Sequence, residues 1–307
     1  MSGQTFSVAH PESTRIGWIG TGIMGAPMCD HLMKAGYRAT VYTRTREKAQ
    51  PLIDAGAVWA QTPAAVVEAS DIIFTMVGLP ADVREVYFGD NGVLRNIRSG
   101  NIVVDMTTTE PSLAREIYAA AKEKGVSTID APVSGGDIGA INATLSIMVG
   151  GDKSAVDAVM PLFELMGKSI GYQGEAGSGQ HTKMCNQITL SGILTGVAQA
   201  LVYGYKAGLD LETLIASISK GAAGCWVLDF LAPKMRVHDF EPGFYVEHYL
   251  KDLNIAITEA QRMNLQLPGL ELAIELFNRV AELGHSRSAY HAILLAIEDL
   301  SKVDISA

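Results

Sequence analysis

A short apolar run, Arg15-Ile16-Gly17-Trp18-Ile19, breaks at Gly20-Thr21-Gly22-Ile23-Met24-Gly25 into a helical pattern that ends near Gly36. A strand that turns through GxGxxG directly into a helix leaves the backbone few choices. The first glycine permits the tight turn, the second admits a ligand close to the backbone, and the third lets helix pack closely on strand. The helix N-terminus offers unpaired N–H groups to an anion. A second strand, Ala39-Thr40-Val41-Tyr42, follows at the spacing of a βαβ unit. The pattern therefore reads as dinucleotide binding, with Gly20, Gly22, Ile23, Met24 and Gly25 around a pyrophosphate.

The end of the second strand bears on which dinucleotide. A site for NAD wants Asp or Glu there for the adenosine ribose, whereas this chain has Thr43-Arg44-Thr45-Arg46. A guanidinium at Arg44, between Thr43 and Thr45, suits a 2′-phosphate, so NADP(H) is the expected cofactor with NAD(H) left open. The other reading makes Arg44 and Arg46 surface residues that open a helix. Further apolar runs at 72–77 and 102–106 alternate with helical patterns, which predicts a parallel sheet. Thr107-Thr108-Thr109-Glu110-Pro111 follows the latter strand, where ligands sit in open α/β sheets. Thr108 is a candidate to contact the nicotinamide ribose, or else such hydroxyls cap the helix from Ser112.

Next, a strand from Val126 through Asp130-Ala131-Pro132-Val133 ends in Ser134-Gly135-Gly136, ahead of a further strand at 145–151. One hydroxyl with bare backbone N–H groups can cradle a carboxylate without a charged side chain. A glycine-punctuated turn at Gly177-Ser178-Gly179 then enters a proline-free helical pattern over 180–207, about 28 residues or roughly 40 Å. Lys183, Asn186 and Gln187 stand at i, i+3 and i+4, one ammonium and two amides on one face. The competing reading is a solvated polar face. Beyond it, 211–220, 227–237, 249–263, 270–283 and 289–300 read as helices, broken at Gly221, Pro242-Gly243, Pro268-Gly269 and Gly284. The expected organisation is a tail over 1–14, an α/β domain over 15–178, and the long helix with an all-α domain over 179–307. Small residues Ser191, Gly192, Thr195, Gly196 and Ala200 would let helices of two copies approach closely, so a homodimer or homotetramer is expected.

Composition excludes several classes. A net charge of -9 with no basic run argues against nucleic acid or anionic membrane as partner. Cys29, Cys185 and Cys225 are odd in number and unpaired in spacing, which fits free thiols in a reducing compartment and calls for no metal. Residues 1–14 lack the apolar core of a signal peptide, and the least charged internal run, 188–205, carries Gly, Ser, Thr and Gln. The expectation is a buried helix in a cytoplasmic protein.

The strand-borne GxGxxG, the Asp130-Ala131-Pro132-Val133-Ser134-Gly135-Gly136 run, Lys183-x-x-Asn186-Gln187 and Lys251-Asp252-Leu253 occur together in that order. From residue 15 to about 300 they resemble the β-hydroxyacid dehydrogenase family, which includes 3-hydroxyisobutyrate dehydrogenases and tartronate, glyoxylate and succinic semialdehyde reductases. The resemblance implies an N-terminal Rossmann-type doubly wound sheet, a long interdomain helix and an all-α C-terminal domain. It implies Lys183 as general acid, Ser134, Gly135 and Gly136 on a small substrate's carboxylate, and Asn186 or Gln187 on its oxygen. Phe244 and Asp252 would close the site on the substrate, with Lys251 on the cofactor. Lys251-Asp252 can instead be an ion pair within the helical domain. His181 points away from Lys183 on the helix, and His248 reads as a bystander. The family's Gly-Thr-Leu is Ala143-Thr144-Leu145 here, and 220–226 replaces a loop that varies with substrate. The activity expected is NADPH-dependent reduction of small aldehyde acids such as glyoxylate, succinic semialdehyde or tartronate semialdehyde. The alternatives are a 3-hydroxyisobutyrate or serine-type dehydrogenase working oxidatively, and a catalytically silent binding module.

Overall fold

The computed structural model describes residues 6–241 and 243–306. The chain divides into two compact units, residues 1–183 and 184–307. The first unit is built on β1 (Arg15–Ile19), β2 (Arg38–Tyr42), β3 (Val58–Trp59), β4 (Ile72–Thr75), β5 (Ile102–Asp105), β6 (Ser127–Asp130), β7 (Val133–Ser134), β8 (Leu145–Gly151) and β9 (Gly167–Gly174). They form one sheet in the order β3-β2-β1-β4-β5-β6-β8-β7, with β9 beside β8. From β3 through β6 every pairing is parallel. Strands β4 and β5 are buried along their whole length, which is why they read as unbroken apolar runs rather than alternating ones.

Alternate residues of these strands feed two cores, one on each face. Phe74 joins Trp18, Val104 and Phe163 in one, and Ile73 joins Val103, Leu113 and Ile117 in the other. The Trp18 and Phe74 rings stack at 5.2 Å. The covering helices are α1 (Gly25–Lys34), α2 (Gln50–Asp54), α3 (Pro63–Glu68), α4 (Pro80–Phe88), α5 (Val93–Asn96), α6 (Pro111–Lys122), α7 (Gly136–Ile141) and α8 (Lys153–Glu164). The sheet is thus doubly wound, and its order reverses between β1 and β4, opening a crevice at the carboxyl ends of those strands.

The far edge of the sheet is not purely parallel. Strand β8 runs antiparallel to β6 and to β7, and β9 returns parallel to β8. β9 is interrupted by glycines and largely exposed, so no period of two marks it as a strand. The described part of the N-terminal segment also differs from a loose tail. Ala9 is buried, its N–H donates to the Ala158 carbonyl at 2.8 Å, and its own carbonyl accepts from the Tyr37 hydroxyl at 3.3 Å.

Helix α9 (Ser178–Lys206) starts in the first unit, and the division between units falls within it. Among the described residues it is the one helix long and apolar enough to cross a bilayer by length and composition. Its polar residues Gln180, Lys183, Gln187, Ser191 and Thr195 are buried, as in the core helix of a globular protein. The face of small residues is split: Ser191 and Thr195 point inward while Gly192 and Gly196 are exposed, because the helical repeat separates 191 from 192 by about 100°.

The second unit is helical, with α10 (Leu211–Ile218), α11 (Ala232–Arg236), α12 (Val246–Arg262), α13 (Pro268–Val280) and α14 (Ile293–Ser301). Tyr249, Phe277, Leu253 and Leu294 lie at its core. Pro268-Gly269 is the first turn of α13 rather than a break, since a proline at that position loses no helical hydrogen bond. Gly284, with φ 90, does interrupt the helix after α13, while Pro242 of the expected Pro242-Gly243 turn lies outside the described residues.

Removing residues 1–10 deletes the Ala9 hydrogen bonds and its buried methyl. Stability should fall by about 1–2 kcal/mol, read as a lower urea midpoint at unchanged slope. An unchanged midpoint would show that the segment adds nothing to the sheet.

Candidate active site

The glycine-rich turn closes the strand-to-helix corner of the first unit. The Gly20 N–H donates to the Tyr42 carbonyl at 2.7 Å, and Gly20 has φ +98, with the position of a Cβ 2.1 Å from the Met76 carbonyl oxygen. At Gly25 a Cβ would stand 2.0 Å from the Gly20 carbonyl oxygen, whereas beside Gly22 nothing lies within 4 Å. Two of the glycines are thus required by packing, and the middle one leaves room for a ligand. The Thr21 hydroxyl, 2% exposed, has no hydrogen-bond partner among the described residues. Met24 supplies no side-chain cap to α1, and Ile23 is exposed beside the turn. An open backbone approach, uncapped helix N–H groups and an unpartnered hydroxyl fit a dinucleotide pyrophosphate.

Past β2, Thr43 is half-buried while Arg44 and Thr45 are exposed. Arg44 is not simply dangling in solvent. Its Nη1 donates to Asp82 Oδ1 at 2.8 Å, and Arg46 instead lies over the Trp59 ring at 5.8 Å.

The carboxyl ends of β4, β5 and β6 are tied together by buried polar groups. Asp105 Oδ1 accepts from the Thr75 hydroxyl at 2.7 Å and from the Thr107 N–H at 3.0 Å, and the Thr107 hydroxyl accepts from the Val77 N–H at 3.0 Å. Half-buried Thr108 sits in this loop, and α6 begins at Pro111 with no side-chain cap on Glu110. Gln180 is fully buried: its Nε2 donates to the Thr107 carbonyl at 2.7 Å and its Oε1 accepts from the Thr109 N–H at 3.0 Å.

Asp130, at the end of β6, caps α9. Its Oδ1 accepts from the Gly177 N–H at 2.7 Å and its Oδ2 from the Gln180 N–H at 2.8 Å. Burial pushes its carboxyl up from 3.8 to about 6 against the pull of those N–H groups, with nearby Asp105 adding to the rise. The first turns of α9 are thereby held on β6, and Lys183, 6% exposed, directs its Nζ to the Val133 carbonyl at 2.9 Å. The next residue, Ser134, is half-buried and pairs with Ser146 across the sheet. Gly135 and Gly136 follow with φ 131 and 64 and start α7. Lys183 and the Ser134-Gly135-Gly136 segment are therefore neighbours in one unit. His181 is engaged elsewhere, on Arg115.

In the second unit a continuous polar chain is present. Asn186 Nδ2 donates to Gln187 Oε1 at 2.8 Å, and Gln187 Nε2 donates to Asp252 Oδ2 at 2.6 Å. Asp252 Oδ1 pairs with Lys251 Nζ at 2.9 Å, an ion pair within the second unit. Gln187, 2% exposed, has both ends of its amide engaged, leaving half-buried Asn186 as the more accessible of the two. Phe244 packs edge-on to Tyr249 and Tyr290 at 6.0 and 5.9 Å. His248 lies against the Phe244 and Tyr245 rings at 6.3 and 5.6 Å.

Comparison with known proteins agrees with this architecture. Residues 15–174 match the NAD binding domain of 6-phosphogluconate dehydrogenase, and residues 177–297 match the family described as NAD-binding of NADP-dependent 3-hydroxyisobutyrate dehydrogenase. The Arabidopsis thaliana protein "Probable 3-hydroxyisobutyrate dehydrogenase-like 1, mitochondrial" is 48% identical over 100% of this chain and 92% of its own. Escherichia coli 2-hydroxy-3-oxopropionate reductase is 40% identical, covering 92% of this chain and 97% of that one. A structure of Mycobacterium tuberculosis 3-hydroxyisobutyrate dehydrogenase with L-serine superimposes with TM-score 0.86 at 30% identity, over 92% and 99% of the two chains. The chain belongs to the β-hydroxyacid dehydrogenase family. It is an NAD(P)-dependent oxidoreductase of the 3-hydroxyacid dehydrogenase/reductase class.

The sequence pattern assigns Asp130 and Gln180 no role, although Asp130 opens the run to Gly136 and Gln180 opens the helical pattern over 180–207. The available signal was an acid at a strand's carboxyl end ahead of a glycine-rich helix start, Gly177-Ser178-Gly179.

Because Asp130 has a folded pKa above its unfolded value, its contribution to stability is full below about pH 4 and is lost as pH rises through about 6. Going from pH 8 to pH 5, the enzyme should gain about 1 kcal/mol relative to Asp130→Asn in urea unfolding. Parallel pH dependences in the two proteins would refute the buried, proton-binding cap.

Proposed function

We propose that this enzyme reduces small aldehyde acids such as glyoxylate, succinic semialdehyde or tartronate semialdehyde to hydroxy acids, using NADPH in preference to NADH. The observation that carries the reading is the buried Lys183 ammonium on the Val133 carbonyl, next to Ser134-Gly135-Gly136. The Ser134 hydroxyl and the N–H groups of Gly135 and Gly136 hold the substrate carboxylate, an anchor that costs no buried countercharge. Reduced nicotinamide, when bound, supplies the hydride. Lys183 donates a proton to the substrate oxygen as negative charge grows there, and its ammonium stabilises that charge before transfer. Asn186, one helical turn further along α9, orients the same oxygen. Gln187 and Asp252 keep Asn186 in place through the amide chain. Thr108 takes the nicotinamide ribose, and Phe244 and Lys251 complete the substrate and cofactor surfaces.

Preference for NADPH rests on Arg44 and on the missing acid at the end of β2. The E. coli relative's name, 2-hydroxy-3-oxopropionate reductase, favours a substrate of that size. An oxidative reading on a serine-like 3-hydroxy acid draws on the M. tuberculosis dehydrogenase structure with L-serine. Three unpaired thiols, Cys29, Cys185 and Cys225, favour the cytoplasm, and a homodimer or homotetramer is the assembly expected.

A panel of semialdehyde acids of two to five carbons, assayed with NADPH and NADH, tests the substrate class. Activity confined to oxidation of hydroxy acids with NAD would overturn the reductive reading.

Lys183→Ala should bind NADPH as before while turnover falls by about 10²- to 10⁴-fold. Lys183→Arg should recover little of it, since a guanidinium keeps the charge but does not release its proton near neutral pH. If Lys183→Ala retains more than about a tenth of turnover at saturating substrate, Lys183 is not the acid.

A further inference from the structure

Asp82 stands at the third position of α4, whose first residue follows the loop leaving β4. Its Oδ2 accepts from the Leu79 N–H at 3.1 Å, and its Oδ1 accepts from Arg44 Nη1 at 2.8 Å. The Asp82 side chain is 19% exposed and that of Arg44 79%. One partner of the pair is therefore pinned to a helix start while the other reaches out from the end of β2. β2 and β4 flank β1 on either side, so the pair spans the crevice edge above the glycine-rich turn.

We propose that Asp82 is a cofactor-discriminating residue: its carboxylate competes with the 2′-phosphate of NADP(H) for Arg44 and thereby limits how far NADPH is preferred over NADH. This rests on the reading of Arg44 as the phosphate contact. An Arg–Asp pair is neutral overall, so the field that a phosphate dianion meets there is weaker than Arg44 alone would produce. The phosphate carries more charge than one carboxylate and displaces it, because an exposed pair of this kind is worth little. The displaced carboxylate cannot turn away, since Leu79 holds its other oxygen, and it stays beside the incoming phosphate as a like charge. The 2′-hydroxyl of NADH is uncharged and meets neither effect. Arg46 offers no ready substitute, as its guanidinium lies over Trp59.

The test measures dissociation constants of NADPH and NADH for the wild-type enzyme, Asp82→Asn, Asp82→Ser and Arg44→Ala by quenching of intrinsic tryptophan fluorescence. Asp82→Asn should tighten NADPH by about 3- to 10-fold and leave NADH within about twofold. Asp82→Ser, which keeps an oxygen for the Leu79 N–H, should move in the same direction. Arg44→Ala should weaken NADPH alone. If Arg44→Ala weakens NADPH while both Asp82 variants leave it unchanged or weaken it, Asp82 is not a competitor and the Arg44 reading stands. If both cofactors shift together in the Asp82 variants, the residue acts through the fold of α4 and the proposal fails. If Arg44→Ala leaves NADPH unchanged, the phosphate contact itself is misassigned and the proposal falls with it.

Discussion

Two N–H groups at the start of α9, those of Gly177 and Gln180, end on the single buried carboxylate of Asp130. Helix N-termini carry unpaired donors and partial positive charge, and a carboxylate placed there meets both needs. The contact is tight enough that a Cβ at Gly179 would stand 2.4 Å from the Asp130 carbonyl oxygen, so no other residue fits the entry of this helix. Three residues after Asp130, the chain presents the Val133 carbonyl. Three residues after Gln180, it presents Lys183, which donates to that carbonyl at 2.9 Å. One carboxylate thus sets the depth and rotation at which the lysine of the proposed mechanism is delivered.

Gln180 extends the constraint sideways. Its backbone is bound to the end of β6 and its side chain to Thr107 and Thr109 beyond β5. Asp105 in turn gathers Thr75 and Thr107, so the ends of β4, β5 and β6 and the first turn of α9 share one buried network. Such networks hold only when each member is satisfied, and they then rigidify the loops where ligands of doubly wound sheets sit. The rise of the Asp130 carboxyl to about 6 shows what this arrangement costs. Burial and a neighbouring carboxylate outweigh two good hydrogen bonds.

The parts of the fold that the sequence made legible are those where one physical signal dominates. Unbroken apolar runs named β4 and β5, and a proline-free pattern named α9 to within a few residues of Ser178–Lys206. The glycine-rich turn was legible because each glycine answers a separate steric demand. Strand β9 was not, since it is held by β8 rather than by its own side chains, and the run ending at Ser134 reads as one strand where the chain forms two, β6 and β7, divided at Ala131-Pro132. The small-residue face of α9 was misjudged because composition says which residues are small and not which way they turn. At the candidate site, the grouping of Lys183 with Ser134-Gly135-Gly136 was readable, whereas the carboxylate and amide that position the helix were hidden within the same motifs. Hydrogen bonds between residues about 50 apart in sequence, such as Gln180 to Asp130, leave no periodicity to read.

The two cations assigned to the cofactor in the proposed reading each rest on a carboxylate of the same unit: Arg44 on Asp82 and Lys251 on Asp252. The two pairs differ in burial, and with it in what the pairing does. Asp252 is 1% exposed and shares its other oxygen with Gln187, so its charge requires compensation, and loss of Lys251 would leave a carboxylate buried and poorly balanced. Asp82 and Arg44 are screened by water, and exchange of one anion for another there costs little. Lys251 is therefore held as part of the second unit's polar framework, while Arg44 is the cation that can change partners. In the proposed reading, an ammonium so fixed contributes to cofactor affinity only where it already stands, and discrimination between phosphate and hydroxyl falls to the exposed pair rather than to the buried one.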